Sequence, residues 1–218
     1  FRQGTGVDAT AGIDAFGDTT DYSAVVNGAT FKPSGGVTDI KTGGNSGAFD
    51  FDGTDDTLDL GTVADSDQSL TVMGWIKADT VTKDFMRILT KTDGDNQFRD
   101  GTINLLFDST TGEVRFQIVN NGSGFFVDSS PISKNTYIHV TGRHDFQSGE
   151  ITLFINGQPE GSSTVGQVPP FSSQPWRIGD DNPVDFGEFF DGTVDDTRIY
   201  TAALSDSQIN QIYLNTKP

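Results

Sequence analysis

Short apolar runs alternate with clusters of Gly, Asp, Asn and Ser along the whole chain, about every 8–12 residues. That spacing is the pattern of an all-β sandwich or barrel. The alternation is cleanest in Val114-Arg115-Phe116-Gln117-Ile118 and Ile151-Thr152-Leu153-Phe154-Ile155. A period of two turns one strand face toward the core and the other toward solvent or a second layer. Strands are predicted at 48–51, 57–60, 70–78, 85–91, 102–107, 114–119, 125–128, 137–145, 151–155, 176–179 and 192–200. Asn27-Gly28, Asn121-Gly122, Asn156-Gly157, Asp93-Gly94 and Asp100-Gly101 supply residues that tolerate positive φ, as tight hairpin turns require.

One helix is predicted, at 205–214. Ser205 can cap it, with Gln208 three residues on as in a capping box. Ile209, Ile212 and Tyr213 then share a face. No linker or internal repeat divides the chain, so residues 1–218 are expected to form a single domain.

Composition narrows the function. The hydrophobic fraction is 33%, and counting the 26 glycines of 218 residues brings the apolar share to about 45%, enough for a core. There are 27 Asp and 4 Glu against 7 Lys and 7 Arg, a net charge of −17. Such a surface repels nucleic acid and anionic lipid, whose binding depends on Lys and Arg. The acidity has two readings: a solvated surface suited to high salt, or divalent-cation binding. Without Cys there is neither a disulfide nor a thiolate metal site. No apolar run reaches the ~20 residues of a spanning helix, so membrane insertion is not expected. A first residue of Phe1 rather than Met suggests a processed product or a fragment. Asn121-Gly122-Ser123 is the single glycosylation sequon.

Several segments, in order, resemble LamG-like (laminin G-like) jelly rolls of the concanavalin A-like lectin/glucanase superfamily. Phe51-Asp52-Gly53-Thr54-Asp55-Asp56-Thr57-Leu58 is similar to the family's Phe-Asp-Gly-x-x-Asp-Tyr-Val segment, with Thr57 in an aromatic place. Ser69 to Lys77 resembles its strand with a central Trp, here Trp75. Tyr137-Ile138-His139-Val140-Thr141, Leu153-Phe154-Ile155-Asn156-Gly157 and Arg177-Ile178-Gly179 match further steps. The closing strand is Gly192-Thr193-Val194-Asp195-Asp196-Thr197-Arg198-Ile199-Tyr200, followed by Ala203-Leu204-Ser205. The resemblance is strongest over 48–214. It implies an all-β, two-sheet antiparallel jelly-roll sandwich with a short C-terminal helix.

The resemblance also implies a structural Ca2+. Asp195 is its candidate ligand, with Asp21 and the backbone carbonyls around Asn45 and Gly47, because calcium needs six to eight oxygens. The competing reading pairs Asp195 with Arg198 or makes it a turn cap. Asp55-Asp56 and Asp180-Asp181-Asn182 read as solvated loops. His139 and His144 lie on one candidate strand and are expected on the same strand face, too far apart for one zinc; His139 is expected to be buried.

Aromatic side chains stack on sugar C–H faces, and Asp, Asn and Arg bind hydroxyls. Trp176 follows Pro175 in a turn-rich stretch and is expected to be exposed. Phe98, Arg99, Phe126, Asp181, Asn182 and Phe186 complete a candidate ligand-binding set. Phe125, Phe189 and Phe190 lie in similar Gly- or Asp-rich stretches. The Glu-x-Asp-x-x-Glu pattern of retaining glucanases is absent, as are alginate-lyase motifs and a Gly-x-Ser-x-Gly elbow.

The expectation is a non-catalytic recognition module that binds a glycan or surface polysaccharide, on a secreted, cell-surface or virion-surface protein. The alternative is a structural domain that contacts neighbouring protein chains of an assembly. A polysaccharide-active enzyme ranks third.

Overall fold

A computed structural model of the chain describes residues 2–3, 9–10, 23–33, 36–37, 47–62, 69–81, 85–92, 100–108, 112–168, 175–180 and 188–217. Two antiparallel sheets stack face to face. With strands numbered in chain order, the nine-stranded sheet runs β1 (Arg2–Gln3), β2 (Ala9–Thr10), β3 (Ser23–Asn27), β6 (Thr57–Gly61), β15 (Trp176–Ile178), β8 (Arg87–Lys91), β9 (Ile103–Asp108), β10 (Glu113–Asn120) and β11 (Ser123–Asp128). The seven-stranded sheet runs β14 (Gln158–Thr164), β13 (Glu150–Ile155), β12 (Ile138–Asp145), β7 (Leu70–Ala78), β16 (Asp191–Tyr200), β5 (Ala48–Asp52) and β4 (Thr30–Lys32). Helix α1 (Asp206–Thr216) follows β16.

Every strand expected from the alternation is present, with ends shifted by at most two residues. The alternation did not reveal β1 to β4 or β14. The β14 sequence, Gln-Pro-Glu-Gly-Ser-Ser-Thr, has no apolar period because both of its faces lie near solvent at a sheet edge. Asn156 and Gly157 both take positive φ, as the β13–β14 hairpin requires.

The space between the sheets is filled by one apolar cluster that includes Phe51, Phe107, Phe116, Val140, Leu153 and Phe190. Trp176 belongs to it and is 0% exposed, which corrects the expectation of an exposed ring. Its strand lies inside the sheet between β6 and β8, so alternation turns Trp176 and Ile178 inward and Arg177 outward. The Lys91 Nζ stands 5.6 Å from the Trp176 ring centroid. Phe190 is likewise in the core.

The outer face of the seven-stranded sheet carries a second apolar layer. Ile209 and Ile212 of α1 pack there on Met73, Phe154, Tyr200 and Leu204. Trp75 donates its indole N–H to Thr216 Oγ1 at 2.9 Å, and Tyr213 covers Trp75 and His139. The capping box is formed: Ser205 Oγ accepts the Gln208 N–H, and Gln208 Oε1 accepts the Ser205 N–H.

His139 and His144 lie on opposite faces, contrary to expectation, because five positions is an odd number of strand steps. His139 faces the helix beside Trp75, while the register partners of His144, Leu70 and Ile151, belong to the interior.

Candidate ligand-binding face and acidic turn

With α1 on one sheet, the other outer face is that of the nine-stranded sheet, and it is exposed at its β10–β11 flank. Strand register lines up Asp59, Arg177, Thr90, Asn104, Gln117 and Phe126 in one transverse row. Their chain neighbours Leu58, Ile178, Leu89, Leu105, Phe116 and Val127 point the other way, into the core. The row is therefore a polar strip held rigid by the apolar layer beneath it.

Its centre is nearly closed to solvent and its end is open. Thr90 is 1% and Asn104 2% exposed, whereas Phe126 is 47% exposed. The Thr90 hydroxyl donates to Asn104 Oδ1 at 2.7 Å, and Asn104 Nδ2 donates to Gln117 Oε1 at 3.3 Å. This chain of bonds fixes the Gln117 amide. Its nitrogen is turned over Gly124, where a Cβ would collide with it. Beside it, the Arg115 guanidinium lies 4.1 Å from the Phe126 ring centroid. Arg115 is clamped by Asp128 at 2.6 Å and Asp108 at 2.7 Å. The hydrogen bond that it donates to Asp128 raises the guanidinium pKa above its ordinary value, so it stays charged and fixed. The β10–β11 flank thus offers an aromatic ring, amide N–H donors and carboxylate acceptors on one rigid patch, the elements that sort sugar C–H faces and hydroxyls.

A second feature is the turn between β5 and β6. Asp52, Asp55 and Asp56 bring carboxylate oxygens within 4.8 Å of one another, a grouping that could hold a metal ion. Asp56 Oδ2 accepts the Asp52 N–H and Asp52 Oδ1 accepts the Thr54 N–H, both at 2.8 Å. Asp56 is buried rather than solvated, and it abuts Gly28 of the β3–β4 turn. Its pKa is raised, first by burial and then by its carboxylate neighbours. All three groups are hard oxygen donors, which suits calcium.

Asp195 is also buried. Its Oδ2 accepts the Val37 N–H at 2.8 Å and its Oδ1 accepts the Asp196 N–H at 2.7 Å. Arg198 pairs with Asp196 at 2.8 Å, not with Asp195 as the competing reading had it. A bulge in β16, with Asp196 at φ 47°, separates the two carboxylates. Gly47 packs against the Phe31 ring. Asp21, Asn45, Phe98, Arg99, Asp181, Asn182 and Phe186 lie outside the described residues.

Of the expected ligand-binding residues, Phe126 is exposed at the β10–β11 flank and Trp176 is in the core. Arg115, Gln117 and Gly124 were not singled out. Alternation in 114–118 did place Arg115 and Gln117 on the polar face, but only strand pairing sets Phe126 and Gly124 opposite them.

The two stacked antiparallel sheets, helix-covered on one side and polar on the other, define a lectin-type β-sandwich. The chain belongs to the concanavalin A-like lectin/glucanases superfamily, whose laminin G-type family model matches residues 52–210. No curated protein sequence matches the chain. Among solved structures it is similar to domain 4 of AbnA, an extracellular arabinanase from Geobacillus stearothermophilus, in complex with arabinotriose: 18% identity, TM-score 0.60, 85% of this chain and 87% of that one. It is similar to a heptameric SAP-like pentraxin from Limulus polyphemus, with 20% identity, TM-score 0.54 and 67% and 70% coverage. It is also similar to the botulinum neurotoxin serotype D ligand-binding domain in complex with N-acetylneuraminic acid, with 16% identity and TM-score 0.67. That likeness covers 95% of this chain and 50% of the other. At these identities the likenesses describe the fold.

Proposed function

We propose that this domain is a non-catalytic carbohydrate-binding module whose ligand lies across the β10–β11 flank of the nine-stranded sheet. The observation that carries the reading is the exposed Phe126 ring, backed by Arg115 and flanked by the fixed Gln117 amide. A sugar stacks on the ring, takes N–H donors from Gln117 and gives hydroxyl protons to Asp128. The arabinotriose and N-acetylneuraminic acid complexes of two similar structures support a sugar ligand. Both histidines are buried, so neither stands ready as a surface general base. The extracellular arabinanase supports a secreted or surface setting.

Calcium belongs to the same reading. Asp52, Asp55 and Asp56 would hold it, and it would offset their mutual repulsion and brace the β5–β6 turn. Among the described residues no helix is long and apolar enough to cross a membrane, which says nothing of β-barrels.

The test is a glycan array with purified domain, followed by calorimetry on the best ligand. Phe126→Ala and Gln117→Ala should each abolish measurable binding while leaving the melting temperature near that of the wild type. Full binding by both variants would move the site elsewhere.

A further inference from the structure

We infer that the β10–β11 face takes a neutral glycan and discriminates against anionic ones. The inference rests on the carbohydrate-binding reading above and adds the ligand's charge.

Three carboxylates, Asp108, Glu113 and Asp128, surround Arg115 on this flank. Glu113 and Asp108 are direct register partners, and Arg115 and Asp128 are the next pair two residues along. Strand alternation puts Glu113, Arg115 and Gln117 on one face. The local balance is three negative charges against one positive.

That positive charge is committed. Arg115 Nε donates to Asp128 Oδ1 at 2.6 Å and Nη2 donates to Asp128 Oδ2 at 2.9 Å, a bidentate clamp. Its Nη2 also meets Asp108 Oδ2 at 2.7 Å. A sugar carboxylate or sulfate would need that same fork, and would have to displace two carboxylates to reach it.

The other guanidiniums of this face lie back against carboxylates and are largely buried, so neither is presented to a ligand. Arg177 faces Asp59 at 3.5 Å, and Arg87 donates to Glu188 at 3.0 Å. The field of the whole chain, at −17, adds to the repulsion at long range. Neutral sugars meet none of this. Their hydroxyls donate to Asp128 and accept from Gln117, and their C–H face needs only the Phe126 ring.

The experiment compares matched pairs at low ionic strength. Neutral probes are lactose and methyl-esterified galacturonan oligomers. Anionic probes are 3′-sialyllactose and the same galacturonan oligomers after de-esterification. The neutral member of any pair that binds should be about tenfold tighter or more. Added salt should narrow that gap, because screening weakens the repulsion. Asp108→Asn combined with Asp128→Asn should narrow it as well, by releasing Arg115.

An anionic probe that binds as tightly as its neutral partner at low salt overturns the inference and leaves the carbohydrate reading standing. A gap that salt does not change also overturns it. Binding to no glycan of either class overturns both.

Discussion

Asp195, midway along the last strand, accepts the backbone N–H of Val37 at 2.8 Å, across 158 positions of sequence. The carboxylate thereby ties the C-terminal strand to the N-terminal segment without an intermediary. Both partners are buried, so the tie cannot be replaced by water. Asp195→Ala removes the acceptor of the Val37 N–H from a buried site and should cost about 1–3 kcal/mol in chemical denaturation. A midpoint equal to that of wild type would remove the tie from the stability of the fold.

Calcium should raise the melting temperature at fixed ionic strength, and magnesium should do so less, because its small octahedral shell suits three clustered carboxylates poorly. At a hundred times its dissociation constant the ion would add roughly 2.7 kcal/mol. Asp55→Asn should abolish the rise if Asp52, Asp55 and Asp56 hold the ion. If instead Asp195→Ala abolishes the rise and Asp55→Asn does not, the site belongs to Asp195. No calcium-specific rise in wild type would count against both.

His139 gives the fold an acid limit. Burial under α1 lowers its pKa from 6.5 to about 4, with the Asp196 carboxylate opposing that shift and Arg198 adding to it. The folded state therefore binds a proton less readily than the unfolded one. Stability is full above pH 6.5 and falls as the pH drops toward 4, by about 3 kcal/mol in all. Denaturation midpoints measured between pH 7 and 4 should show this slope, and His139→Gln should flatten it. An unchanged slope in the variant would assign the acid sensitivity to the carboxylates.

Ser205→Ala removes the side-chain half of the capping box and should cost about 0.5–2 kcal/mol. The loss should appear as faster amide exchange in α1 before any change in the sheets. Ser205→Asp should restore most of the stability.

At Gly142 the two sheets pack closely: a Cβ there would run into the Phe116 ring. Its φ is not positive, so the constraint is space and not backbone conformation. Gly142→Ala should destabilise by about 1–3 kcal/mol through overpacking. Gly142→Ala with Phe116→Leu should recover part of the loss, and a double mutant no better than the single would sink the packing account.

Local pattern alone determined much of this protein. Period-two runs such as 114–119 fix which side chains share a strand face, because successive residues of a strand must point oppositely. Ser205 and Gln208 fix the helix start, because the orphan N–H groups of a first turn need acceptors close in sequence. The ordered motifs from Phe51 to Tyr200 fix the family. What only the tertiary structure decided is which strands are neighbours. Trp176 looked exposed because it follows Pro175 in a turn-rich stretch, yet pairing with both β6 and β8 buries it. Asp52, Asp55 and Asp56 are close in sequence, but only the fold of the turn brings their oxygens together and buries Asp56 against Gly28. Arg115 and Phe126 lie eleven positions apart, and hairpin register alone makes one the backing of the other. Pairing is set by the burial of whole faces against one another, a property of the complete sandwich that no short stretch of sequence contains.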